Sequence, residues 1–121
     1  MARILIADDE EAVRSLVARA LQMDGHVTAT AQDGAEALEM LSRDEAFELL
    51  LTDIKMPIMD GIALALSVAR DFPALTILLM TGFADQRERS HQLDALVHDV
   101  IAKPFSVEQI KGAVREALVH R

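Results

Sequence analysis

Four apolar runs of the sequence each end in side chains that could do chemistry. These side chains are three carboxylates, a hydroxyl and an ammonium group: Asp8, Asp9, Asp53, Thr81 and Lys103. A carboxylate held beside a divalent cation, a hydroxyl and an ammonium group can attack phosphorus as a nucleophile. Asp53 is the candidate nucleophile, because it ends the apolar run FELLLT and a proline-bearing turn follows it at once.

The three acids predict a cation site if folding brings them together. Crowded carboxylates repel one another and their pKa values rise, unless a cation joins them. Mg²⁺ is the expected ion, because it is a hard divalent cation that prefers oxygen ligands. Thr81 and Lys103 would then bind the oxygens of a phosphoryl group.

Each of these residues also has a purely structural explanation. Asp9 could cap a helix whose first turn is stabilised by Glu10 and Glu11. Asp53 could close an Asx-turn, and Lys103 could be a solvated amine. Their joint occurrence at the ends of the apolar runs favours a site, because the loops after the helices could have carried them equally well.

Short apolar runs alternate with helical patterns along the whole chain. Strands are predicted at 2–7, 26–31, 47–52, 75–80 and 97–102. Helices are predicted over 13–21, after Asp33 and Asp60, over 85–96 with the weakest pattern, and after Ser106. Five strands alternating with five helices predict an α/β fold, a doubly wound parallel sheet with helices on both faces. Ligands of such sheets bind at the carboxyl ends of the strands, where the candidate residues stand.

Length and composition restrict the classes of protein that fit. The 121 residues are enough for one domain, so 1–121 is expected to be a single domain without an output domain. The 20 acidic residues outnumber the 12 basic ones, which argues against nucleic acid as a partner. There is no cysteine for a disulfide or a thiolate metal site. The opening residues 1–7 are too short for a membrane span or a signal peptide, so a cytoplasmic location is expected.

The motifs that carry the candidate residues resemble those of a known family. They are Asp8-Asp9, Asp53 in DIKMPIMDG, Thr81-Gly82 and Lys103-Pro104-Phe105. In this order and spacing, they resemble the receiver domain of bacterial two-component response regulators, and the resemblance covers the whole chain.

The resemblance implies a CheY-like sheet in the strand order 2-1-3-4-5 and a cis bond between Lys103 and Pro104. It implies that Asp53 accepts a phosphoryl group from a histidine of a sensor kinase or of a phosphotransfer protein. Mg²⁺ would be held by Asp9, Asp53 and the backbone carbonyl of Lys55, with Asp8 helping through water.

One position departs from the family pattern. Receivers usually carry Tyr or Phe three residues before the lysine, as a switch that follows the threonine inward, and this chain has Val100 there. Phe83 stands close to Thr81 in the sequence and is expected to take that part. The predicted switch therefore comprises Thr81, Phe83, Val100 and Pro104.

The resemblance implies a single-domain response regulator that catalyses only its own phosphorylation and dephosphorylation. It would signal by phosphorylation-dependent contact with a downstream protein, with neither nucleic acid nor a membrane as partner. The sequence also resembles the CpdR-type stand-alone receivers, which act as protease adaptors, so a protease component is one candidate target. The alternatives are a phosphorelay intermediate, a phosphate sink, or a phosphohydrolase of the haloacid dehalogenase type. That phosphohydrolase needs a second acid where this chain has Lys55.

Overall fold

Five parallel strands form one sheet in the order β2-β1-β3-β4-β5. The computed structural model describes residues 1–82 and 93–120. In chain order, the elements of this part are β1 (Arg3–Ala7), α1 (Glu11–Met23), β2 (Val27–Ala31), α2 (Gly34–Arg43), β3 (Leu49–Asp53), α3 (Gly61–Asp71), β4 (Thr76–Thr81), β5 (Asp99–Ala102) and α4 (Val107–Val119). The strand order and the fold class agree with the prediction.

The helix predicted over 85–96 falls mostly outside the described residues, because the description ends at Gly82 and resumes at Leu93. Residues 93–96 form turns rather than the end of a helix. Leu93 and Val97 are nevertheless buried, and the carbonyl of Leu93 accepts hydrogen bonds from the backbone N–H groups of Leu96 and Val97.

Side-chain caps fix the starts of three helices where the sequence predicts them. The side chain of Asp33 accepts a hydrogen bond from Glu36 N at the start of α2, and that of Asp60 accepts one from Ala63 N at the start of α3. Ser106 caps α4 and forms a reciprocal capping box with Gln109. These caps satisfy N–H groups that have no partner within the helix.

The start of α1 differs from the other three. Its N-cap is Glu10, which makes no side-chain capping bond. The structural explanation of Asp9 as a helix cap is therefore wrong, and its carboxylate is available for other contacts.

The sheet separates the core into two layers, because successive residues of a strand point to opposite faces. On one face, α2 and α3 cover Leu5, Leu50 and Leu79. On the other face, α1 and α4 cover Ile6, Leu51 and Leu78. All residues of β3 are buried, so this strand is the rigid centre that carries Asp53. No helix in the described part of the chain is long and apolar enough to cross a membrane.

Candidate functional site

Four neighbouring strands bring their carboxyl ends to the same edge of the sheet. Asp8 follows β1, Asp53 is the last residue of β3, Thr81 is the last residue of β4, and Lys103 follows β5. β3 begins two residues later than the predicted strand 47–52 and ends one residue later. Its last residue is Asp53, which pairs with Met80, and Ile54 N donates to Met80 O. The carboxylate of Asp53 is therefore held on a buried strand rather than on a loop.

Lys103 joins two of the acids. Its Nζ donates to Asp8 Oδ2 at 2.9 Å and lies 3.3 Å from Asp53 Oδ1. Its own backbone is fixed, because Lys103 N donates to Thr81 O at 2.7 Å. Lys103, Asp8 and Asp53 are thus in direct contact, and the backbone of Thr81 lies beside them.

Asp8 is fully buried and has a partner at every polar atom. Its N donates to Ala31 O, and its Oδ1 accepts from Glu10 N at 2.9 Å. Its carbonyl oxygen accepts from Arg14 Nη1 at 2.7 Å. The sequence reasoning missed Arg14, whose signal is a basic residue near the start of α1, within reach of the turn that carries the acids.

Burial and the charge of Asp8 act together on the pKa of Asp53, and Lys103 acts against them. Desolvation and the nearby charge of Asp8 raise its pKa to about 6, although Lys103 opposes the rise. Lys103 is only 18% exposed in its side chain, and burial disfavours its charged form. The hydrogen bond to Asp8 and the charges of Asp53 and Asp8 nevertheless raise the pKa of Lys103. The site therefore carries uncompensated negative charge that a cation would relieve.

The carboxylates at this edge offer only oxygen ligands. Within the described residues, Asp8, Asp9 and Glu10 have carboxylate oxygens that all lie within 4.8 Å of one another. Asp53 is not a member of this group, and it contacts Asp8 through Lys103. The donor set fits a hard divalent ion such as Mg²⁺. Glu10, which the sequence assigned only to the helix dipole, is an additional acid beside the site.

Lys55 lies in the loop between β3 and α3, with its side chain exposed. The backbone of this loop is tied at two places, because Gly61 N donates to Ile54 O at 2.7 Å and Gly34 N donates to Met59 O at 3.0 Å. A Cβ on Gly61 would lie 2.0 Å from Asp53 O, so only glycine lets α3 begin against the strand that carries Asp53.

The predicted switch residues have different surroundings. Thr81 is only 2% exposed, and Val100 is partly buried against the layer that contains α2 and α3. The Lys103–Pro104 bond is cis, as predicted. Phe83 lies outside the described residues.

One cavity in the described part of the chain lies away from the candidate residues. It measures about 440 Å³ and is lined by residues from the ends of α2 and α3, among them Phe47 and Phe72. These residues lie near the amino ends of β3 and β4, so this cavity contains none of the candidate residues.

Comparisons with known proteins agree with the fold. The family model for the response regulator receiver domain matches residues 4–115. The response regulator MprA of Mycobacterium leprae is 38% identical over 116 residues, which are 96% of this chain and 50% of that protein. The chain thus spans about half the length of the curated relatives it matches.

Solved structures share the whole fold. The response regulator TrrA of Thermotoga maritima, in complex with Mg²⁺-BeF, has a TM-score of 0.86 and 28% identity over 97% of this chain and 99% of that chain. A CheY-like receiver domain protein of Methanospirillum hungatei has a TM-score of 0.90 and 28% identity, and the match covers 99% of this chain and 95% of that chain.

Proposed function

The chain belongs to the response regulator receiver family, a family of signalling domains, and we propose that it accepts a phosphoryl group on Asp53 from a phosphohistidine. The observation that carries this proposal is the contact of Lys103 Nζ with Asp8 and Asp53 at the carboxyl edge of the sheet. This contact joins a nucleophile to a cationic group that can pair with the phosphoryl oxygens.

The protein groups that take part in the transfer all lie at this edge. The P–N bond to the donor imidazole breaks as a bond from an oxygen of Asp53 to phosphorus forms, and the imidazole nitrogen keeps the electron pair. Lys103 pairs with the phosphoryl oxygens, and Thr81 offers a hydroxyl at the end of the neighbouring strand. Charge-assisted hydrogen bonds of this kind are typically worth about 1.5–3 kcal/mol each.

Mg²⁺ is part of the proposal, with Asp9, Asp53 and the carbonyl of Lys55 as ligands and Asp8 acting through water. The all-oxygen donor set and the raised pKa of Asp53 support it. So does the Mg²⁺-BeF complex of the relative from Thermotoga maritima. When bound, the ion supplies positive charge that neutralises phosphoryl oxygens.

The output of the domain is proposed to be a change in protein contacts. A histidine kinase or phosphotransfer protein is the proposed donor, and the downstream partner is a protein rather than nucleic acid or a membrane. The residues proposed to transmit the change are Thr81, Phe83, Val100 and Pro104. A single domain over 1–121 and a cytoplasmic location stay predictions from the sequence.

Phosphorylation by a small donor tests the central step. Incubation with acetyl phosphate and Mg²⁺ should add one phosphoryl group to the wild type, seen by intact mass spectrometry, and none to Asp53→Asn. Asp60→Asn is the matched control, because Asp60 caps α3 outside the site and its variant should be labelled like the wild type. Equal labelling of the Asp53 variant and the wild type would exclude Asp53 as the acceptor.

A further inference from the structure

Ile58 adopts a backbone conformation that its side chain disfavours. Its φ is +68°, and it is the one non-glycine residue with a positive φ in the described part of the chain. A β-branched residue in this left-handed region is a true outlier, because its Cβ crowds the backbone. Such strain persists only where the surrounding structure enforces it, and it is concentrated at functional sites.

The hydrogen bonds around Ile58 show what enforces the conformation. Met59 N donates to Pro57 O at 2.7 Å and closes a three-residue turn centred on Ile58. Met59 O is held in turn by Gly34 N at the start of α2. The turn is thus fixed at Met59, the end that leads into α3, and the backbone strain falls on Ile58 at its centre.

The side chain of Ile58 contributes little to the fold. It is 85% exposed, more than any large hydrophobic residue described here except Met1 at the chain end. Glycine has no Cβ to crowd the backbone at this φ, and asparagine is enriched among the non-glycine residues with a positive φ. The structure therefore presents an apolar side chain to solvent at a cost in stability, five residues after Asp53.

The position of Ile58 indicates what could cover it. Asp53 is only 5% exposed, so a donor histidine can reach it only from the carboxyl edge of the sheet. Reacting atoms must approach to about 3–3.5 Å, and a donor protein at that distance must cover the loops around the edge. One of these loops presents the exposed charges of Asp9 and Glu10, whereas the loop after β3 presents Ile58.

We propose that Ile58 is a docking contact for the protein that carries the phosphohistidine to Asp53, and that it enters an apolar pocket of that donor. This inference rests on the proposed function. It assigns to Ile58 a role in recognising the donor and no role in the chemistry, since a small phosphodonor can reach Asp53 without touching Ile58. A few side chains that fill desolvated pockets near the centre of an interface typically carry a large share of its affinity.

Three variants separate docking from chemistry and from strain. Ile58→Asn and Ile58→Gly relieve the strain and remove the apolar side chain, whereas Ile58→Val keeps both and is the matched control. The two relaxed variants should melt about 3 °C above the wild type, and the Val variant should melt with the wild type. All three should be labelled by acetyl phosphate at rates within about twofold of the wild type.

The protein donor gives the decisive measurement. Each histidine kinase of the source organism is autophosphorylated, and each phosphotransfer protein is phosphorylated by a kinase. The protein that phosphorylates the wild type fastest is then selected as the donor. We expect kcat/KM for transfer from this donor to fall about tenfold in the Asn and Gly variants and to stay within about twofold in the Val variant, since 1.4 kcal/mol of binding free energy corresponds to tenfold.

Four outcomes would overturn the inference, and they are distinguishable. Transfer to the Asn and Gly variants at the wild-type rate would exclude docking through Ile58. The absence of any rise in melting temperature would show that the turn carries no strain. A wild type that acetyl phosphate labels and no protein donor phosphorylates would exclude the proposed partner. A wild type that acetyl phosphate does not label would remove the proposed function, and the inference with it.

Discussion

At the scale of single residues, the site already contains a cation in the form of the Lys103 ammonium group. It lies between a fully buried acid, Asp8, and an acid at the end of β3, Asp53. This arrangement lowers the repulsion between the two carboxylates, but it does not remove it, because the pKa of Asp53 remains raised to about 6. Two predictions follow from this incomplete neutralisation.

The first concerns pH and the free energy of unfolding without Mg²⁺. Burial and the charge of Asp8 raise the pKa of Asp53 from its ordinary value of 3.8 to about 6 in the folded state. As pH rises from about 4 to about 6, the unfolded chain loses this proton first, so the folded state loses stability. The loss levels off above pH 6 at roughly 3 kcal/mol at most.

Asp53→Asn should remove this pH dependence. In Mg²⁺-free buffer, urea unfolding should show the variant gaining stability over the wild type as pH rises from 4 to 7. Millimolar Mg²⁺ should reduce this difference in the free energy of unfolding, since the ion binds the wild type with Asp53 ionised and stabilises it. A difference in the free energy of unfolding that does not depend on pH would contradict the raised pKa of Asp53.

The second prediction concerns competition between Lys103 and Mg²⁺. Lys103→Met removes a positive charge from the space between the acids, so it should bind Mg²⁺ several-fold more tightly than the wild type in a calorimetric titration. Lys111→Met is the control, because Lys111 contacts Asp24, away from the site. This variant should bind Mg²⁺ with the affinity of the wild type. Weaker binding by the Lys103 variant would show that the ammonium group helps to arrange the ligands.

At the scale of elements, the loop between β3 and α3 depends on close backbone contacts with its neighbours. A Cβ on Gly34 would lie 2.5 Å from Met59 O, which is backbone and cannot move freely. Gly112 in α4 is the opposite case, because a Cβ there would have nothing within 4 Å. The two glycines are therefore a matched pair.

Alanine substitutions at these glycines should have opposite effects. Gly34→Ala should push the loop that carries Lys55, destabilise the fold by about 1–3 kcal/mol and weaken Mg²⁺ binding. Gly112→Ala should stabilise the fold by up to about 1 kcal/mol, since alanine is the better helix former, and leave Mg²⁺ binding alone. Denaturant unfolding and calorimetry on both variants test this, and equal effects would contradict the close contact at Gly34.

The sequence predicts the elements well because periodicity and caps are local signals. The strand ends that carry Asp53 and Lys103, and the helix caps Asp33, Asp60 and Ser106, follow from residue types and spacing alone. The difference between buried Asp8 and exposed Asp9 does not follow, because it depends on which side of the turn faces the sheet. The left-handed Ile58 and the bond from Arg14 to Asp8 O are also set by tertiary contacts, which no local pattern encodes.

At the scale of the whole molecule, the sheet keeps the two layers of the core apart. Val68 in α3 and Val114 in α4 are both fully buried, and they lie on opposite faces. Val68→Ala and Val114→Ala should each destabilise the fold by about 1–3 kcal/mol. Because the two valines belong to different layers of the core, the destabilisation of the double variant should equal the sum of the two single destabilisations within about 0.5 kcal/mol. A clear departure from that sum in urea unfolding would show that the sheet transmits packing changes between its faces.

The ion pairs of Asp24 have a practical consequence for experiments with this protein. Asp24 follows α1, and its carboxylate accepts from Arg115 in the last turns of α4 at 2.7 Å, while Arg115 lowers the pKa of Asp24. The end of α4 therefore lies beside the end of α1, which begins next to Asp8 and runs away from it, and β1 also starts at that far edge. An affinity tag, a fluorophore or a surface linker attached near residue 1 or residue 120 is thus held at the edge of the sheet opposite to Asp53. Immobilised protein should consequently leave the carboxyl edge open to a phosphodonor.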